Sequence, residues 1–145
     1  MWGEKLLHHK QFTNSNGSNV KRNFKHGGAL EEVLSGYRSI YEFALPEYRA
    51  VLKETGSLDL ARIQTFFALI ANVADTNVMH RGGLDGLKES QNLASNFLNS
   101  GGVYSSGWVE NAKAIHLKFI DMNLSPGGCG DLLSACIFIQ HIEDA

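Results

Sequence analysis

Apolar side chains recur at three- and four-residue steps along most of this 145-residue chain, while alternation of β-branched residues is nearly absent. Steps of this length place apolar side chains on one face of an α-helix. Only two prolines, Pro46 and Pro126, interrupt the pattern. The sequence therefore predicts an all-α fold, a compact helical bundle of about five to seven helices. The length of the chain fits a single domain.

Start and stop residues separate the predicted helices. Pro46 suits the first turn of one helix and Gly56 its end, and Ser57 is a suitable N-cap for the next. That next helix is apolar on nearly every side, which indicates a central, buried position. We expect helices over residues 30–44, 46–56, 57–73, 84–98, 109–120 and 130–142.

Residues 11–28 depart from this pattern. They are rich in Asn, Ser, Gly and Lys and lack an apolar repeat, which indicates a long polar loop near the amino terminus. We therefore expect residues 1–28 to hold a helix start and this insertion loop, and residues 29–145 to form the helical domain. The basic cluster at residues 21–26 is interpreted as a solvated loop surface in preference to a binding patch.

Charge and cysteine content limit the classes of partner and compartment. The formal net charge of −2 gives no global electrostatic case for nucleic acid or an anionic membrane. No apolar run approaches the roughly 20 residues of a membrane span, and residues 1–5 lack the apolar core of a signal peptide. Cys129 and Cys136 would lie roughly 10 Å apart on one helix, too far to pair. Free thiols suit a reducing cytosol, so we expect a soluble cytoplasmic protein.

The first of two polar interruptions, residues 75–83, reads Asp-Thr-Asn-Val-Met-His-Arg-Gly-Gly. On one interpretation it is a ligand loop, because paired glycines let a ligand approach the backbone closely and Arg81 can grip a phosphate with two parallel hydrogen bonds. On the other it is a helix connection in which Asp75 caps a helix and Arg81 pairs with Asp75. The sequence leaves both interpretations open.

The second interruption, residues 123–131, reads Asn-Leu-Ser-Pro-Gly-Gly-Cys-Gly-Asp. A glycine-rich loop before a helix start is typical of phosphate binding, although no Lys-Ser/Thr pair follows it as in a P-loop. Asp131 either complements the helix dipole or helps to hold Mg²⁺, which commonly uses one or two carboxylates plus substrate phosphates. Cys129 is expected to be exposed here, with a lowered pKa, whereas His116 lies on an apolar stripe and is expected in the core or at its boundary.

Taken in order, the motifs resemble the triphosphoribosyl-dephospho-coenzyme A synthases. The resemblance rests on Asp75-Thr76-Asn77, His80-Arg81-Gly82-Gly83, Asn123-Leu124-Ser125-Pro126-Gly127-Gly128 and Asp131-Leu132-Leu133, with Gly3-Glu4-Lys5-Leu6, Gly36-Tyr37 and Ala44-Leu45-Pro46. It implies an all-α enzyme that transfers the triphosphoribosyl group of ATP to 3'-dephospho-coenzyme A and releases adenine. That product is the prosthetic-group precursor of citrate lyase or malonate decarboxylase. The resemblance covers only the carboxyl-terminal half of the family.

The resemblance also implies a site. Adenine leaves ribose through an oxocarbenium-like centre, so carboxylates are needed to stabilise charge and to accept the proton of the attacking hydroxyl. The implied catalytic acids are Asp75, Asp131 and Glu32, and Asp131 and Asp75 are the expected ligands of a Mg²⁺ ion that accompanies ATP. The implied substrate-binding residues are Asn77, His80, Arg81, Gly82, Gly83, Ser125, Gly127 and Gly128.

Departures from the family pattern leave a second function open. Leu30 stands where the family has arginine and Glu31 where it has glycine, and Cys129 and Gly130 replace serine and alanine. Loss of that arginine would remove one phosphate contact. The alternative function is a non-catalytic helical nucleotide-binding or interaction module derived from the enzyme.

The sequence offers no obvious aromatic or polar set for adenine and the coenzyme. We therefore expect the chain to be inactive alone, and expect an amino-terminal half or a second subunit to pack against the apolar face of the central helix. The same argument predicts an exposed apolar patch and a tendency to form homo-oligomers.

Overall fold

The computed structural model describes residues 29–145. The predictions for residues 1–28, namely a helix start, a polar loop and a solvated basic cluster, lie outside the described residues. Within the described part the chain forms helices and turns and contains no strand, so the predicted all-α class is confirmed.

Six α-helices and two shorter helical turns make up this part of the chain. In order they are α1 (Ala29–Leu34), a π-helical turn (Ile40–Ala44) that leads directly into α2 (Leu45–Thr55), α3 (Leu58–Asn72), α4 (Thr76–Asn99), a 3-10 turn (Gly102–Tyr104), α5 (Trp108–Asp121) and α6 (Gly127–Glu143).

The boundary between α2 and α3 confirms the predicted start and stop residues. Pro46 lies in the first turn of α2, and Gly56 ends that helix in the left-handed conformation, with φ of 67°. The hydroxyl of Ser57 then accepts a hydrogen bond from the amide of Leu60 at 3.3 Å. The N-cap hydrogen bond fixes where the buried helix begins.

The single helix predicted over residues 30–44 is wrong, because the backbone breaks between α1 and the π-helical turn. Gly36 and Tyr37 both have positive φ, 73° and 58°. The carboxylate of Glu32 accepts hydrogen bonds from the amide of Ser39 at 3.2 Å and from its hydroxyl. This bracing across the break is a contact that apolar spacing alone does not reveal.

Residues 75–83 are also not a loop. Helix α4 begins at Thr76, directly after its N-cap Asp75, and continues through a kink at Gly83, where φ is 64° and ψ is −161°. The turn before the kink is anchored by Val78 and Met79, which are both fully buried. Two inward apolar side chains and a strong cap are sufficient to make this polar stretch helical.

The predicted central position of α3 is confirmed. Helices α2, α4 and α6, the π-helical turn and the 3-10 turn all pack against α3. The core between these elements is built from buried side chains that include Ile40, Leu45, Tyr48, Val51, Ala61, Leu69, Ile70, Val78, Met79, Ala94 and Phe97. The 3-10 turn is held through Gln64 of α3, whose side-chain oxygen accepts from the amide of Val103 at 3.0 Å.

Helix α6 begins at Gly127, three residues before the predicted start, and it buries only one face. Cys129, Cys136 and Gln140 are the buried positions, although half of the other residues of the helix are apolar. On the opposite face the exposed fractions of Phe138 and Ile142 reach 65% and 59%. Among the helices of residues 29–145, none has the length and apolar character needed to cross a membrane.

Candidate functional site

The carboxylate of Asp75 joins the starts of two helices. Its Oδ1 accepts from the amides of Asn77 at 2.8 Å and Val78 at 3.3 Å, in the first turn of α4. Its Oδ2 accepts from the amide of Cys129 at 2.8 Å, in the first turn of α6. Asp75 is only 3% exposed. We call this meeting point of Asp75 with the starts of α4 and α6 the helix-start junction.

Two glycines allow the helices to meet this closely. A Cβ atom on Gly128 would lie 3.1 Å from Oδ2 of Asp75, and one on Gly127 would lie 2.9 Å from Nδ2 of Asn77. Both separations are tighter than ordinary van der Waals contact. Gly127 and Gly128, predicted as a ligand cradle, therefore have a packing role at the junction as well.

The paired glycines at positions 82 and 83 serve different purposes. A Cβ on Gly82 would lie 2.5 Å from Cδ2 of Leu124, so packing against Leu124 is one reason for glycine at this position. The expectation that Gly82 also lets a ligand approach stays a prediction. Gly83 supplies the positive φ of the kink, and a Cβ there would meet nothing within 4 Å.

Arg81 links the two polar segments by a second route. Its Nη1 donates to Oδ1 of Asn123 at 3.2 Å, so the predicted pairing of Arg81 with Asp75 is wrong, whereas the predicted capping by Asp75 is confirmed. Within residues 29–145 Arg81 forms no ion pair. Arg81 and its neighbour His80 are exposed, so their side chains are available to an anion from solvent.

The three candidate acids lie in different settings. Asp131 is exposed and is the fifth residue of α6, so the expected first-turn position is wrong. The oxygens of Glu32 accept from Ser39, and within the described residues Glu32 makes no hydrogen bond to the helix-start junction. The described chain also contains no group of three or more His, Cys, Asp or Glu side chains arranged to hold a metal ion.

Both cysteines are free, as predicted, and both are buried. Burial, together with the nearby carboxylate of Asp75, raises the pKa of the Cys129 thiol. Burial likewise raises the pKa of Cys136 to about 11, partly offset by Arg49. The expected exposure and lowered pKa of Cys129 are therefore wrong. His116 is exposed, so of its two expected places, in the core or at its boundary, the core is wrong.

Two amides at the start of α6 have no acceptor within the described part of the chain. Gly130 donates to the carbonyl of Pro126 and Cys129 to Asp75, but the N–H groups of Gly127 and Gly128 have no hydrogen-bond partner among residues 29–145. Such free N–H groups, with the positive end of the helix dipole, favour an anion. The junction can therefore offer two backbone amides to an anionic ligand.

An apolar cavity of about 400 Å³ lies between α3 and α5. The sequence did not predict it. The cavity ends at Ser125 and Pro126, directly before the junction. Its lining comprises Ile63, Phe66, Phe67, Ile70, Trp108, Ala112, Ile115, His116, Phe119, Ile120, Leu124, Ser125 and Pro126. The available signal was the set of aromatic residues in the two predicted helices, but helical spacing does not distinguish a cavity wall from a core.

The fold and the junction together define an all-helical domain with a polar site at two helix starts. The model of the ATP:dephospho-CoA triphosphoribosyl transferase family matches residues 3–145, and the chain belongs to this family. The resemblance found in the motifs is thereby confirmed.

Individual relatives agree with this assignment. A probable 2-(5''-triphosphoribosyl)-3'-dephosphocoenzyme-A synthase of Acinetobacter calcoaceticus is 37% identical over 143 residues, which cover 98% of this chain and 49% of that protein. One from Pseudomonas syringae pv. tomato is 36% identical over 91% of this chain and 45% of its own length. One from Salmonella gallinarum is 40% identical over 79% and 38%. The chain spans about half the length of the curated relatives it matches. No solved structure matches the chain.

Proposed function

We propose that this chain takes part in transferring the triphosphoribosyl group of ATP to 3'-dephospho-coenzyme A, with release of adenine. The proposal rests on one observation, that the fold brings together residues from distant parts of the sequence. Residues expected to bind substrate, Asn77, Gly127 and Gly128, lie at one junction beside Asp75, although 54 positions separate Asp75 from Cys129. The product would serve as the prosthetic-group precursor of citrate lyase or malonate decarboxylase.

The junction suits the triphosphate of ATP. The amides of Gly127 and Gly128, which have no partner within residues 29–145, would donate to phosphate oxygens. The exposed guanidinium of Arg81 would form charge-assisted hydrogen bonds with the same phosphates. Asn77, His80 and Ser125 would supply further polar contacts to the triphosphate. Asp75 would position the backbone and would not contact substrate itself, because three of its lone-pair positions already accept hydrogen bonds from backbone amides. We assign Asp75 a positioning role.

Among the candidate acids, Asp131 is the carboxylate best placed to meet substrate. It lies four residues after Gly127 on α6, so both lie on the same face of the helix. It is also exposed, whereas Asp75 is buried and the carboxylate of Glu32 is engaged with Ser39. We propose that Asp131 accepts the proton of the attacking hydroxyl or faces Mg²⁺. Phosphates and water supply most Mg²⁺ ligands in such sites, so one protein carboxylate is sufficient.

The binding part of the proposal is tested by thermal unfolding with ATP, with and without Mg²⁺. A ligand that binds the folded state raises the melting temperature, and we expect the larger rise with Mg²⁺. Asp131→Asn should reduce that rise and leave the unliganded melting temperature unchanged, and the matched control is Asp85→Asn on the exposed face of α4. No shift at millimolar ATP in either condition would contradict the phosphate assignment.

We further propose that the other half of the family's length completes the site. Helix α6 packs its inner face on the core, and its outer face carries two large exposed apolar side chains, Phe138 and Ile142, among polar residues. Exposed apolar side chains of this size are typical of an interaction surface. The chain spans about half of its relatives, so the unmatched half is the partner that fits this face. In α3, by contrast, Leu58 is the one large apolar residue that is exposed. We therefore propose that the other half docks on α6 and not on the central helix.

Adenine release followed by chromatography tests the half-site proposal. ATP and dephospho-coenzyme A are incubated with the chain alone, then with the chain and the unmatched half of the Acinetobacter calcoaceticus relative. We expect release only in the second mixture. Robust release by the chain alone would show that it holds a complete site. ATP binding without release in either mixture would favour the alternative, a non-catalytic nucleotide-binding module.

A further inference from the structure

We propose that the apolar cavity between α3 and α5 is a subsite for the adenine ring of an adenine nucleotide. The inference rests on the proposed function, because ATP and dephospho-coenzyme A each carry adenine. It goes beyond that function by assigning the base to a cavity whose residues, apart from Ser125, carry no role so far. It also replaces the expectation that all contacts to adenine come from another part of the enzyme.

The walls of the cavity suit a flat aromatic ligand. Phe66 from α3 and Trp108 and Phe119 from α5 line it. Phe66 and Trp108 are only partly buried, so their rings retain surface for a ligand. Stacking on aromatic side chains binds any nucleobase through its π-face. The volume of about 400 Å³ lies within the roughly 300–1,000 Å³ of small-molecule sites.

Polar groups in the lining match the edge of adenine, which carries ring-nitrogen acceptors and an amino donor. Ser125 and His116 each offer a donor and an acceptor, and both line the cavity. The indole N–H of Trp108 has no hydrogen-bond partner within the part of the chain that the structure describes. A mainly apolar cavity with a few polar groups is the usual composition of a small-molecule site.

The cavity ends next to the start of α6 in the sequence. Ser125 and Pro126 line the cavity, and Pro126 is followed directly by Gly127, whose amide has no hydrogen-bond partner among residues 29–145. Consecutive Cα atoms lie about 3.8 Å apart. A nucleotide with its base in the cavity can therefore direct its phosphates to the start of α6. This proximity to a helix start favours a nucleotide over an apolar segment of another protein.

The test is isothermal titration of the full chain with four probes: adenosine, ATP, dephospho-coenzyme A and inorganic triphosphate. Ala112 of α5 lines the cavity, so Ala112→Phe should fill part of it. The matched control is Ala114→Phe, at an exposed position of the same helix outside the cavity. We expect Ala112→Phe to weaken adenosine binding by at least about tenfold, as loss of one base stack does. Inorganic triphosphate should bind both variants equally.

The four probes separate the subsite from the proposed function. Weaker binding of ATP to Ala112→Phe assigns the base to ATP, and weaker binding of dephospho-coenzyme A assigns it to the coenzyme. Adenosine binding without triphosphate binding would retain the subsite and remove the phosphate assignment. Equal adenosine affinity in the two variants, or no adenosine binding to the wild-type chain, would overturn the subsite even if triphosphate binds.

A second measurement applies if Ala112→Phe fails to fold. In a Trp2→Phe background, Trp108 is the remaining tryptophan. A base stacked on its indole should quench and shift the fluorescence of Trp108. Saturable quenching by adenosine supports the subsite, and unchanged emission at millimolar adenosine contradicts it.

Discussion

A single side chain, Asp75, accepts hydrogen bonds from three backbone amides that belong to two helices. Buried hydrogen bonds to a charged group are stronger than neutral ones, and a buried donor left without an acceptor is costly. The carboxylate also lies at the positive ends of two helix dipoles. Its charge and both of its oxygens therefore stabilise the junction.

Replacement of Asp75 by asparagine should destabilise the fold. The amide group of Asn retains one acceptor oxygen but directs an NH₂ group at a backbone N–H, and it removes the charge. We expect Asp75→Asn to lower the free energy of unfolding by about 1–3 kcal/mol. Urea denaturation measures this change, with Asp85→Asn as the exposed control. Equal stability of the two variants would show that the carboxylate is not needed at the junction.

Gly82 and Gly130 give a matched pair of glycine-to-alanine substitutions. A Cβ on Gly82 would lie 2.5 Å from Leu124, whereas one on Gly130 would meet nothing within 4 Å. Gly82→Ala should destabilise the chain by about 0.5–2 kcal/mol, because overpacking against the buried Leu124 outweighs the helix-propensity gain of alanine over glycine, roughly 0.5–1 kcal/mol. Gly130→Ala lies inside α6 and should stabilise it by roughly 0.5–1 kcal/mol. Chemical denaturation of both variants is the measurement, and destabilisation of equal size would contradict the packing explanation.

At the scale of elements, apolar spacing and cap residues predicted α2, α3 and α5 closely. Those elements were predictable because Pro46, Gly56 and Ser57 act locally, through the backbone next to them. The starts of α4 and α6 were not predictable in this way, because the carboxylate of Asp75 caps α4 and also accepts a hydrogen bond from an amide of α6. A hydrogen bond across 54 positions leaves no periodic trace in the sequence.

The candidate site was predictable in part for the same reason. The motifs identified Asn77, Gly127 and Gly128, which the fold brings together. The three acids could not be ranked from the sequence, because only the fold separates the buried Asp75, the engaged Glu32 and the exposed Asp131. The cavity beside Trp108 was hidden within residues that resemble an ordinary core.

The outer face of α6 carries a prediction at this scale. Phe138→Ser should weaken association with the unmatched half of a relative and reduce any self-association, because exposed apolar patches drive both. The free energy of unfolding of the Phe138→Ser variant should change by less than about 0.5 kcal/mol, as for other surface substitutions. Leu117→Ser, 60% exposed on α5, is the matched control. Sedimentation velocity measures the association, and equal effects of the two variants would place the docking face elsewhere.

For the molecule as a whole, the buried thiols make stability depend on alkaline pH. The pKa of Cys136 rises from its ordinary value of 9.0 to about 11 in the fold because of burial. Above pH 9 the unfolded chain therefore loses a proton that the folded chain keeps, and stability falls as pH rises toward 11. Below pH 9 this contribution is constant.

The comparison of wild type with Cys136→Ala isolates this effect from other titrating groups. We expect the stability difference between the two chains to be constant from about pH 7 to 9 and to shift in favour of Cys136→Ala at higher pH. Urea midpoints across the pH range are the measurement. Parallel pH profiles for the two chains would show that Cys136 does not contribute.

The shared carboxylate of Asp75 also makes the two helix starts a single unit of local motion. If the first turn of α4 opens and takes Asp75 with it, the amide of Cys129 loses its acceptor at the same time. Hydrogen–deuterium exchange at Asn77 and at Cys129 should therefore occur at matching rates, since amides in one cooperative unit become exposed together. A ligand that holds the start of α6 closed would then slow exchange in α4 as well. Two segments far apart in sequence would report the same opening event.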